Sequence, residues 1–326
     1  MMRNGAFIRV SADGHDAMGI QGKQAGRRDI VGLVGGGQIQ HASGCQFEAM
    51  KISSLFGKSG GKAQPENSTL SVMSYNVRFA SNYPPNAWPD RRPVMQECLR
   101  ASAPDIIGTQ EGGFGQLNDM ADDLPEFRWI GVGREGGGMG EFTAIFYRTA
   151  KLEALDFNHF WLSDTPSVVG SATWGNTDKR MVTWAKFRER SSQKEFFVFN
   201  TYLDNRVQEA REKSARLIRD RVQALKTSLP VFLIGDFNAV AGQNPVYHIL
   251  TEGDHHFTDS WTAAPRRTGE GLGTVNGFKE PVKNGLRIDW VLFQGPAKPL
   301  ASEIVTFAKG GQYPSDHLPV MTQFEL

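Results

Sequence analysis

The segment VFLIGDFN, at residues 231–238, places an acid and an amide directly after four apolar residues. The apolar run is typical of a buried β-strand, so Asp236 and Asn238 are expected at its end. Residues two positions apart on an extended chain point to the same side, and we predict that these two side chains share one water. The alternative is an Asx-turn, which an Asp at the end of a strand also forms.

Eight segments rich in β-branched and aromatic residues are each predicted to be a strand, because Gly, Pro, Asn or Asp bounds them. They cover residues 70–75, 105–109, 142–147, 181–187, 195–203, 231–234, 286–293 and 318–324. Helical periodicity occurs at about 90–101 and most clearly at 207–225. Strands this numerous, only some of them joined by helices, predict an α/β protein with two packed mixed sheets and helices outside.

The composition allows one large domain and argues against a protein that grips long polyanions. The chain has 326 residues, of which 40% are hydrophobic, and a formal net charge of +1. Residues 1–69 hold 8 Lys and Arg against 5 Asp and Glu, which leaves 28 against 30 for the remainder. A slightly acidic body disfavours tight, non-specific binding of nucleic acid but does not disfavour a small phosphorylated substrate.

Residues 1–68 are predicted to be a disordered extension that precedes a catalytic domain at 69–326. They are rich in Gly, Ser, Gln and Lys and show no sustained apolar period. Their best apolar run, residues 30–34, is too short to span a bilayer, so we predict a cytoplasmic location with no membrane span. Two alternatives stay open, because Arg27 and Arg28 faintly resemble a twin-arginine export signal and Met50 offers a second start. The sequence does not specify an oligomeric state.

Further polar residues end other apolar runs and form a candidate metal site. Phosphoester cleavage needs a cation to neutralise the phosphoryl oxygens, a base for the attacking water and donors for the transition state. Glu111 and Asp316 are suitable hard ligands for magnesium, and the side-chain oxygen of Asn76 would complete the set directly or through water. The alternatives are a turn-forming Asn76 and a solvated loop acid at Glu111.

Asp289 is predicted to orient His317. It lies inside an apolar strand, where an unpaired carboxylate is costly. A carboxylate on one ring nitrogen of His317 fixes the tautomer and leaves the other nitrogen for the scissile phosphate. A structural ion pair between Arg287 and Asp289 is the rival interpretation, and His317 taken alone would be a surface histidine.

In their order, these motifs resemble the endonuclease/exonuclease/phosphatase superfamily over about residues 70–326. They are SYNVR (74–78), TQEGG (109–113), FNTYLDN (199–205), IGDFNA (234–239), LRIDWVLF (286–293) and SDHLPV (315–320). The resemblance implies a four-layer α/β sandwich with the site at the sheet edges. It also implies Mg²⁺ or Mn²⁺ as cofactor and hydrolysis by an activated water without a covalent intermediate. The implied site residues are Asn76, Glu111 and Asp316 near the metal, Asp236 and Asn238 at water and phosphate, and Asp289 orienting His317.

One position departs from the commoner family pattern. Many bacterial members have His in the third motif, in an Asn-Thr-His-Leu-Asp context, whereas this chain has Tyr202. A neutral tyrosine donates a hydrogen bond to a phosphoryl oxygen but carries no positive charge. The exonuclease III branch is similar, since it has Tyr followed three residues later by Asn, here Tyr202 and Asn205. We therefore interpret the change as a conservative alteration of phosphate binding.

The substrate is less determined than the chemistry. Residues 160–166 and 180–184 resemble segments of a bacterial branch of metal-dependent hydrolases related to deadenylases. Arg180 would contact a phosphate, or else form a surface salt bridge. Trp161, Trp174 and Trp184 would stack a base or a sugar, although at least two of them are expected in the core.

Three functions stay open at this point. The leading hypothesis is a metal-dependent phosphoesterase that hydrolyses a small or terminal phosphate mono- or diester. The second keeps this chemistry but acts on nucleic acid, as a 3′-5′ exonuclease, a deadenylase or an endonuclease. The third is a catalytically inactive phosphate-binding scaffold, which the completeness of the acidic and amide set disfavours.

Overall fold

The computed structural model describes residues 69–326. In chain order its elements are β1 (Thr69–Asn76), α1 (Trp88–Ser102), β2 (Ile106–Gln110), β3 (Gly112–Gly113), α2 (Phe114–Asp123), β4 (Phe127–Ile130), β5 (Glu141–Phe142), β6 (Ile145–Arg148), β7 (Leu152–Trp161), β8 (Met181–Glu189), β9 (Glu195–Tyr202), α3 (Gln208–Ala224), β10 (Val231–Asp236), α4 (Pro245–Thr251), β11 (Thr258–Asp259), α5 (Ser260–Ala263), β12 (Arg267–Thr268), β13 (Asp289–Gln294), β14 (Lys298–Ile304) and β15 (Val320–Glu325). The predicted extension at residues 1–68 lies outside the described residues and stays a prediction.

Two large mixed sheets organise these elements. One has seven strands in the order β12-β14-β15-β1-β2-β6-β4, and the other has six in the order β11-β13-β10-β9-β8-β7. Each sheet holds a central parallel pair, β1 with β2 and β9 with β10, and β12 also runs parallel to β14. Because parallel strands end on the same side, the carboxyl ends of β1 and β2 form one edge, and those of β9 and β10 form another.

Three apolar cores separate four layers. On β1, Leu70 and Val72 face the space between the sheets, whereas Met73 packs with buried residues of α1 and α2. On β10, Phe232 faces the space between the sheets, whereas Leu233 packs with buried residues of α3 and α4. This alternation is the period of two that a strand buried on both faces must follow. The expected sandwich, with two packed mixed sheets flanked by helices, is confirmed.

The strand bounds differ from the sequence expectation where alternation breaks. The segment expected at 142–147 is divided, since β5 pairs with β3 while β6 pairs with β2. The segment expected from residue 286 becomes a strand only at Asp289. The sequence pattern does not predict β7, a ten-residue edge strand. A bulge between Ala154 and Asp156 shifts its register and interrupts the apolar period that would have revealed it. Within residues 69–326, no helix is long and apolar enough to cross a membrane.

Candidate active site

The polar strand ends meet at one end of the sandwich. Asn76 ends β1, and Glu111 directly follows β2, its parallel neighbour. Asp236 ends β10 and stands opposite Asp289, the first residue of antiparallel β13. His317 lies just before β15, which runs antiparallel to β1. Five strands from both sheets therefore deliver these side chains to the same place.

Asn76 connects the acids of the two sheets. Its Nδ2 donates to Glu111 Oε1 and to Asp236 Oδ2, each over 3.0 Å, and its side chain is fully buried. Its Oδ1 accepts the Arg78 N–H at 3.0 Å. In this arrangement the amide nitrogen faces the carboxylates, so Asn76 orients two acids and does not present its oxygen to them.

Glu111 is held in its ionised form. Burial raises the pKa of this carboxyl, but hydrogen bonds from Asn76 and Tyr202, with the charge of Arg78, outweigh burial and lower the pKa below its ordinary value. The Tyr202 hydroxyl donates to Glu111 Oε1 at 2.9 Å. Burial first and the adjacent Glu111 second raise the pKa of Tyr202 well above 10. Tyr202 is therefore a neutral hydrogen-bond donor throughout the physiological range.

Glu111 and Asp316 converge on one positive charge. A single guanidinium nitrogen of Arg78, Nη1, lies 3.6 Å from Glu111 Oε2 and 3.6 Å from Asp316 Oδ2. Two carboxylates around one point fit a hard divalent cation, which takes oxygen ligands. These residues therefore suit the Mg²⁺ or Mn²⁺ expected from the sequence. A second close set, Asp236, Asp289 and His317, has ligand atoms within 4.8 Å of one another, but its imidazole already pairs with a carboxylate.

Asp236 is a buried acid with a perturbed pKa. Burial, followed by repulsion from Asp289, raises its pKa from 3.8 to about 7. Its Oδ1 accepts the Asn238 N–H at 2.9 Å, so the Asx-turn weighed as an alternative is present. Asn238 has a positive φ of 47°, and its Nδ2 donates to Leu203 O at 3.1 Å. The Asn238 side chain is thus anchored at the mouth of the site.

His317 and Asp289 form a buried pair. His317 Nδ1 lies 2.9 Å from Asp289 Oδ2. Burial lowers the pKa of His317, but Asp289 and then Asp236 and Asp316 more than offset it and raise the pKa to about 10. Asp289 Oδ1 is buried and has no hydrogen-bond partner. The rival ion pair does not form, because Arg287 Nη2 contacts Asp259 Oδ2 at 2.5 Å instead.

Arg180 lies in the wall of the site rather than on the surface. Its side chain is 3% exposed, and the guanidinium carbon stands 3.9 Å from the centre of the Tyr202 ring. Nη2 donates to Asn205 Oδ1 at 3.4 Å, and Nε lies 3.7 Å from Asp204 Oδ2. The Nε and Nη1 groups of Arg180 make no hydrogen bond. A buried guanidinium with unused donors is suited to an anionic ligand.

The three tryptophans have mainly structural contacts. Trp161 and Trp174 are buried, and their indole N–H groups donate to Arg134 O at 2.8 Å and to Asp164 Oδ1 at 2.7 Å. Trp184 is partly buried and stacks on Phe199 with ring centres 6.0 Å apart. These contacts favour the core role over base stacking.

Sequence reasoning missed Arg91, which joins the loops around the site. This fully buried side chain donates through Nη1 to Val77 O at 3.0 Å and Pro314 O at 2.7 Å. Nη2 donates to the carbonyls of Arg78 and Phe79 at 3.2 and 3.0 Å. Nε donates to the carbonyl of Asn86 at 2.9 Å. All five N–H donors of one guanidinium are therefore used on backbone.

The sequence carries no local signal that separates Arg91 from its neighbour. Arg92 is on the same helical turn but pairs with Asp119 and Asp123 at the surface, both at distances under 3 Å.

Ser315 also joins parts of the site, since its Oγ donates to Asn76 O at 2.7 Å and accepts the His317 N–H at 3.3 Å. The contact with Asn76 joins segments 239 residues apart.

Comparisons with known proteins agree with this geometry. Residues 73–317 match the model of the endonuclease/exonuclease/phosphatase family. An endonuclease/exonuclease/phosphatase of Bacteroides vulgatus is 31% identical with a TM-score of 0.75, covering 79% of this chain and 99% of that one. A mannosyl-6-phosphatase of Bacteroides thetaiotaomicron is 32% identical with a TM-score of 0.72, covering 79% of this chain and 100% of that one.

Curated relatives are matched over part of their length. An uncharacterised protein of Acanthamoeba polyphaga mimivirus is 32% identical over 174 residues, which are 50% of this chain and 63% of that protein. Protein angel of Drosophila melanogaster is 26% identical over 238 residues, 65% of this chain and 64% of that protein. The chain thus spans less than two thirds of each. With the family model matched from the first strand to His317, the chain belongs to the endonuclease/exonuclease/phosphatase family.

Proposed function

We propose that this protein is a metal-dependent phosphoesterase that hydrolyses a small or terminal phosphate monoester by an activated water. Members of its family act on phosphoester bonds. The observation that carries the proposal is the shared amide of Asn76, which holds Glu111 and Asp236 together from two different sheets. Two buried carboxylates set side by side beside a histidine cost stability, and hydrolysis gives them a use.

Asp236 is the proposed base for the attacking water. Its pKa of about 7 allows it to accept a proton at neutral pH, and a base with a pKa near the working pH is the most effective. Water gives its proton to Asp236 while its oxygen bonds to phosphorus, and the bond from phosphorus to the ester oxygen breaks. The leaving oxygen takes a proton from solvent and Asp236 returns its proton to solvent, so the products are phosphate and an alcohol and no bond to the protein forms.

His317, Tyr202 and Arg180 are the proposed donors to the phosphoryl oxygens. His317 is cationic at neutral pH, since its pKa is about 10, and Asp289 leaves its Nε2 free to donate. Arg180 adds a buried guanidinium with unused donors. Donors fixed where negative charge develops stabilise a transition state strongly. Asn205 and Asn238 are placed at the margin of the same site, next to Arg180 and Asp236 respectively.

Glu111 and Asp316 are the residues that would hold Mg²⁺ or Mn²⁺. Such an ion neutralises charge on the phosphoryl oxygens and on the leaving oxygen. Asn76 and Tyr202 both donate to Glu111 Oε1, so they fix the carboxylate while Oε2 stays directed towards Asp316 and Arg78. Ligands held in this way from behind bind metal more tightly.

Two observations favour a small ester over nucleic acid. Residues 70–326 carry 28 Lys and Arg against 30 Asp and Glu, so this part of the chain lacks the positive excess that nucleic-acid binding uses. In addition, the mannosyl-6-phosphatase is 32% identical over nearly four fifths of this chain. A sugar phosphate is therefore the first substrate to test.

A substrate panel tests the proposal. The full chain is assayed with Mg²⁺ or Mn²⁺ on mannose 6-phosphate, an aryl phosphate monoester, a bis-aryl phosphodiester, phosphorylated inositols, single-stranded RNA and abasic duplex DNA. We expect release of phosphate from the monoesters, loss of that activity in EDTA and its absence from Asp236→Asn. Cleavage of RNA or DNA without monoesterase activity would assign the protein to the nuclease alternative. No hydrolysis of any ester with either metal would support the inactive scaffold.

A further inference from the structure

The large hydrophobic side chains that are exposed in residues 69–326 are confined to one end of the protein. All nine lie in loops around the active site or begin the helix after Glu111. The most exposed are Tyr83 (82%), Met139 (69%), Val282 (69%), Val169 (59%), Leu286 (57%) and Val168 (55%). Single exposed apolar residues are ordinary on any surface, but a whole set gathered at one place marks a binding surface. We call this set the apolar rim.

Sheet topology brings the loops of the apolar rim together. The loop 131–144 leaves the first sheet between paired Ile130 and Ile145, and Ile145 lies opposite Gly108 near the end of β2. The loop 162–180 leaves the second sheet between paired Trp161 and Met181, at the end where β9 reaches Tyr202. The loops 77–87 and 269–288 adjoin Asn76 and Asp289. All four therefore surround the catalytic groups.

Two members of the apolar rim touch the catalytic groups. The Phe79 N–H donates to Glu111 Oε2 at 3.3 Å, and the Phe79 ring is 4.3 Å from the Arg78 guanidinium. Val275 pairs with His317 through an isolated β-bridge. Phe79 is 42% and Val275 is 44% exposed. Two exposed apolar side chains thus adjoin the proposed phosphate site itself.

Three cations in these loops are paired with neighbouring acids, whereas Lys279 and Lys283 form no ion pair within residues 69–326. Arg134 Nη1 contacts Glu141 at 2.8 Å, and Lys179 Nζ contacts Glu135 at 2.9 Å. The Arg78 guanidinium faces Glu111 and Asp316. A polyanionic substrate needs cations available along its length, and these pairs do not supply them. Outside Lys279 and Lys283, the surface around the site therefore suits an uncharged molecule.

We propose that the apolar rim binds the alcohol part of the substrate, and that this part is uncharged, extends beyond the phosphate and offers C–H or aryl surface. The inference rests on the proposed function, because the alcohol of a phosphate ester is covalently tied to the group that the catalytic residues hold. Phe79 and Val275 contact the groups around that phosphate, so they lie next to whatever is bonded to it. Covering each exposed side chain is expected to raise affinity roughly threefold to tenfold.

Phosphonates test this inference without catalysis, since their C–P bond is not hydrolysed. Binding of methylphosphonate, hexylphosphonate and benzylphosphonate to the full chain with Mg²⁺ is measured by calorimetry. We expect the two larger ligands to bind at least roughly tenfold more tightly than methylphosphonate. The hexyl and benzyl arms separate an alkyl from an aryl preference. Equal affinity for all three ligands would overturn the inference.

Variants locate the effect on the protein. Tyr83→Ser and Val282→Ser are each expected to reduce the advantage of the larger ligands roughly threefold to tenfold while leaving methylphosphonate binding unchanged. Lys298→Ala, at an exposed position on the first residue of β14, is the matched control at the opposite end. Variants that weaken all three ligands equally would contradict the inference.

A phosphorylated trinucleotide is the competing arm. Lys279 and Lys283 lie on either side of Val282, so salt-dependent binding of the trinucleotide that exceeds hexylphosphonate binding would replace the apolar rim with a polyanion site. Failure of the two proposals is distinguishable. Monoester hydrolysis without a preference for larger ligands would support the phosphoesterase and refute binding at the apolar rim. A preference for larger ligands without hydrolysis of any ester would support binding at the apolar rim and refute the phosphoesterase.

Discussion

The active-site end and the opposite end of the sandwich treat their acids differently. At the opposite end, Asp105 precedes β2 and accepts from Lys151 Nζ at 2.7 Å and from the Ser71 N–H at 2.9 Å. At the active-site end, Asp236 is 1% exposed and has only amide donors, and Asp289 leaves one oxygen without a partner. The acid at one end is paired with a lysine, whereas the other end buries an acid that has only amide donors and another that has one unpartnered oxygen. We propose that the chemistry takes place at the end with these buried acids.

Residues with positive φ occur at both ends, but they have different roles there. Glu111 and Asn238 both adopt positive φ, at 63° and 47°, a region that costs a residue with a side chain about 1 kcal/mol or more. Glu111 accepts hydrogen bonds from Asn76 and Tyr202, and Asn238 donates to Asp236 and to the Leu203 carbonyl. At the opposite end Ala103 also has a positive φ, of 47°, but there it only closes the last turn of α1. Strain at the site orients functional groups, whereas strain at Ala103 ends a helix.

The largest expected effect comes from exchanging one acid at each end for its amide. Asp236→Asn keeps the shape of the side chain but removes the base, so kcat should fall roughly 1,000-fold with little change in melting temperature. Asp105→Asn should instead lower the free energy of unfolding by about 1–2 kcal/mol, since it breaks an ion pair with Lys151, and leave kcat unchanged. Steady-state kinetics and thermal unfolding of both variants measure this. Equal kcat losses would remove the contrast between the ends.

A smaller effect is expected from the acid behind His317. Asp289→Asn removes the charge that holds the His317 imidazolium, and kcat should fall roughly 100-fold. The matched control is Asp259→Asn, because Asp259 pairs with Arg287 rather than with a histidine. It should reduce stability but not kcat. Nitrogen chemical shifts of the His317 ring report its protonation directly, and an unchanged ring in Asp289→Asn would contradict the assigned role.

Two tyrosines that each donate to a carboxylate sharpen the comparison further. Tyr202→Phe removes the donor to Glu111 and should lower kcat at least roughly tenfold. Tyr247→Phe removes an equivalent bond to Asp259 Oδ2, 3.0 Å long, outside the site, and should leave kcat unaltered. Measurements at saturating substrate and metal distinguish a lower kcat from weaker binding. Unchanged turnover in Tyr202→Phe would exclude its hydroxyl from the mechanism.

The smallest effect is expected at the helix end. Ala103→Gly should stabilise the protein by about 1 kcal/mol, because glycine adopts positive φ without a clash of Cβ. Activity should not change, since Ala103 is exposed and lies at the opposite end of the sandwich, before the start of β2. Thermal unfolding and the monoester assay check the two halves of this prediction. A loss of activity would show that the two ends are coupled.

Much of the site was predictable because strand ends are encoded locally. Apolar runs followed by Asn76, Glu111 and Asp236 mark carboxyl ends of strands. The structure brings Glu111 and Asp236 within hydrogen-bond distance of Asn76. Their assigned roles stay predictions. The direction of the Asn76 amide was not predictable, because it depends on an acid 160 residues away. Asn238 likewise could not be placed, since its turn departs from the extended geometry that the pattern assumed.

The sequence by itself determined the order of the motifs, eight of the strand-forming segments, the slightly acidic body and the kinds of group available for chemistry. Only the tertiary structure decided which of Arg91 and Arg92 is buried, that Arg180 stacks on Tyr202, and that the exposed hydrophobic residues gather around the site. The physical reason is the distance along the chain over which each kind of interaction acts. Periodicity and turn chemistry act over a few residues, whereas burial and hydrogen-bond partners depend on sheets that pack together segments more than 100 residues apart.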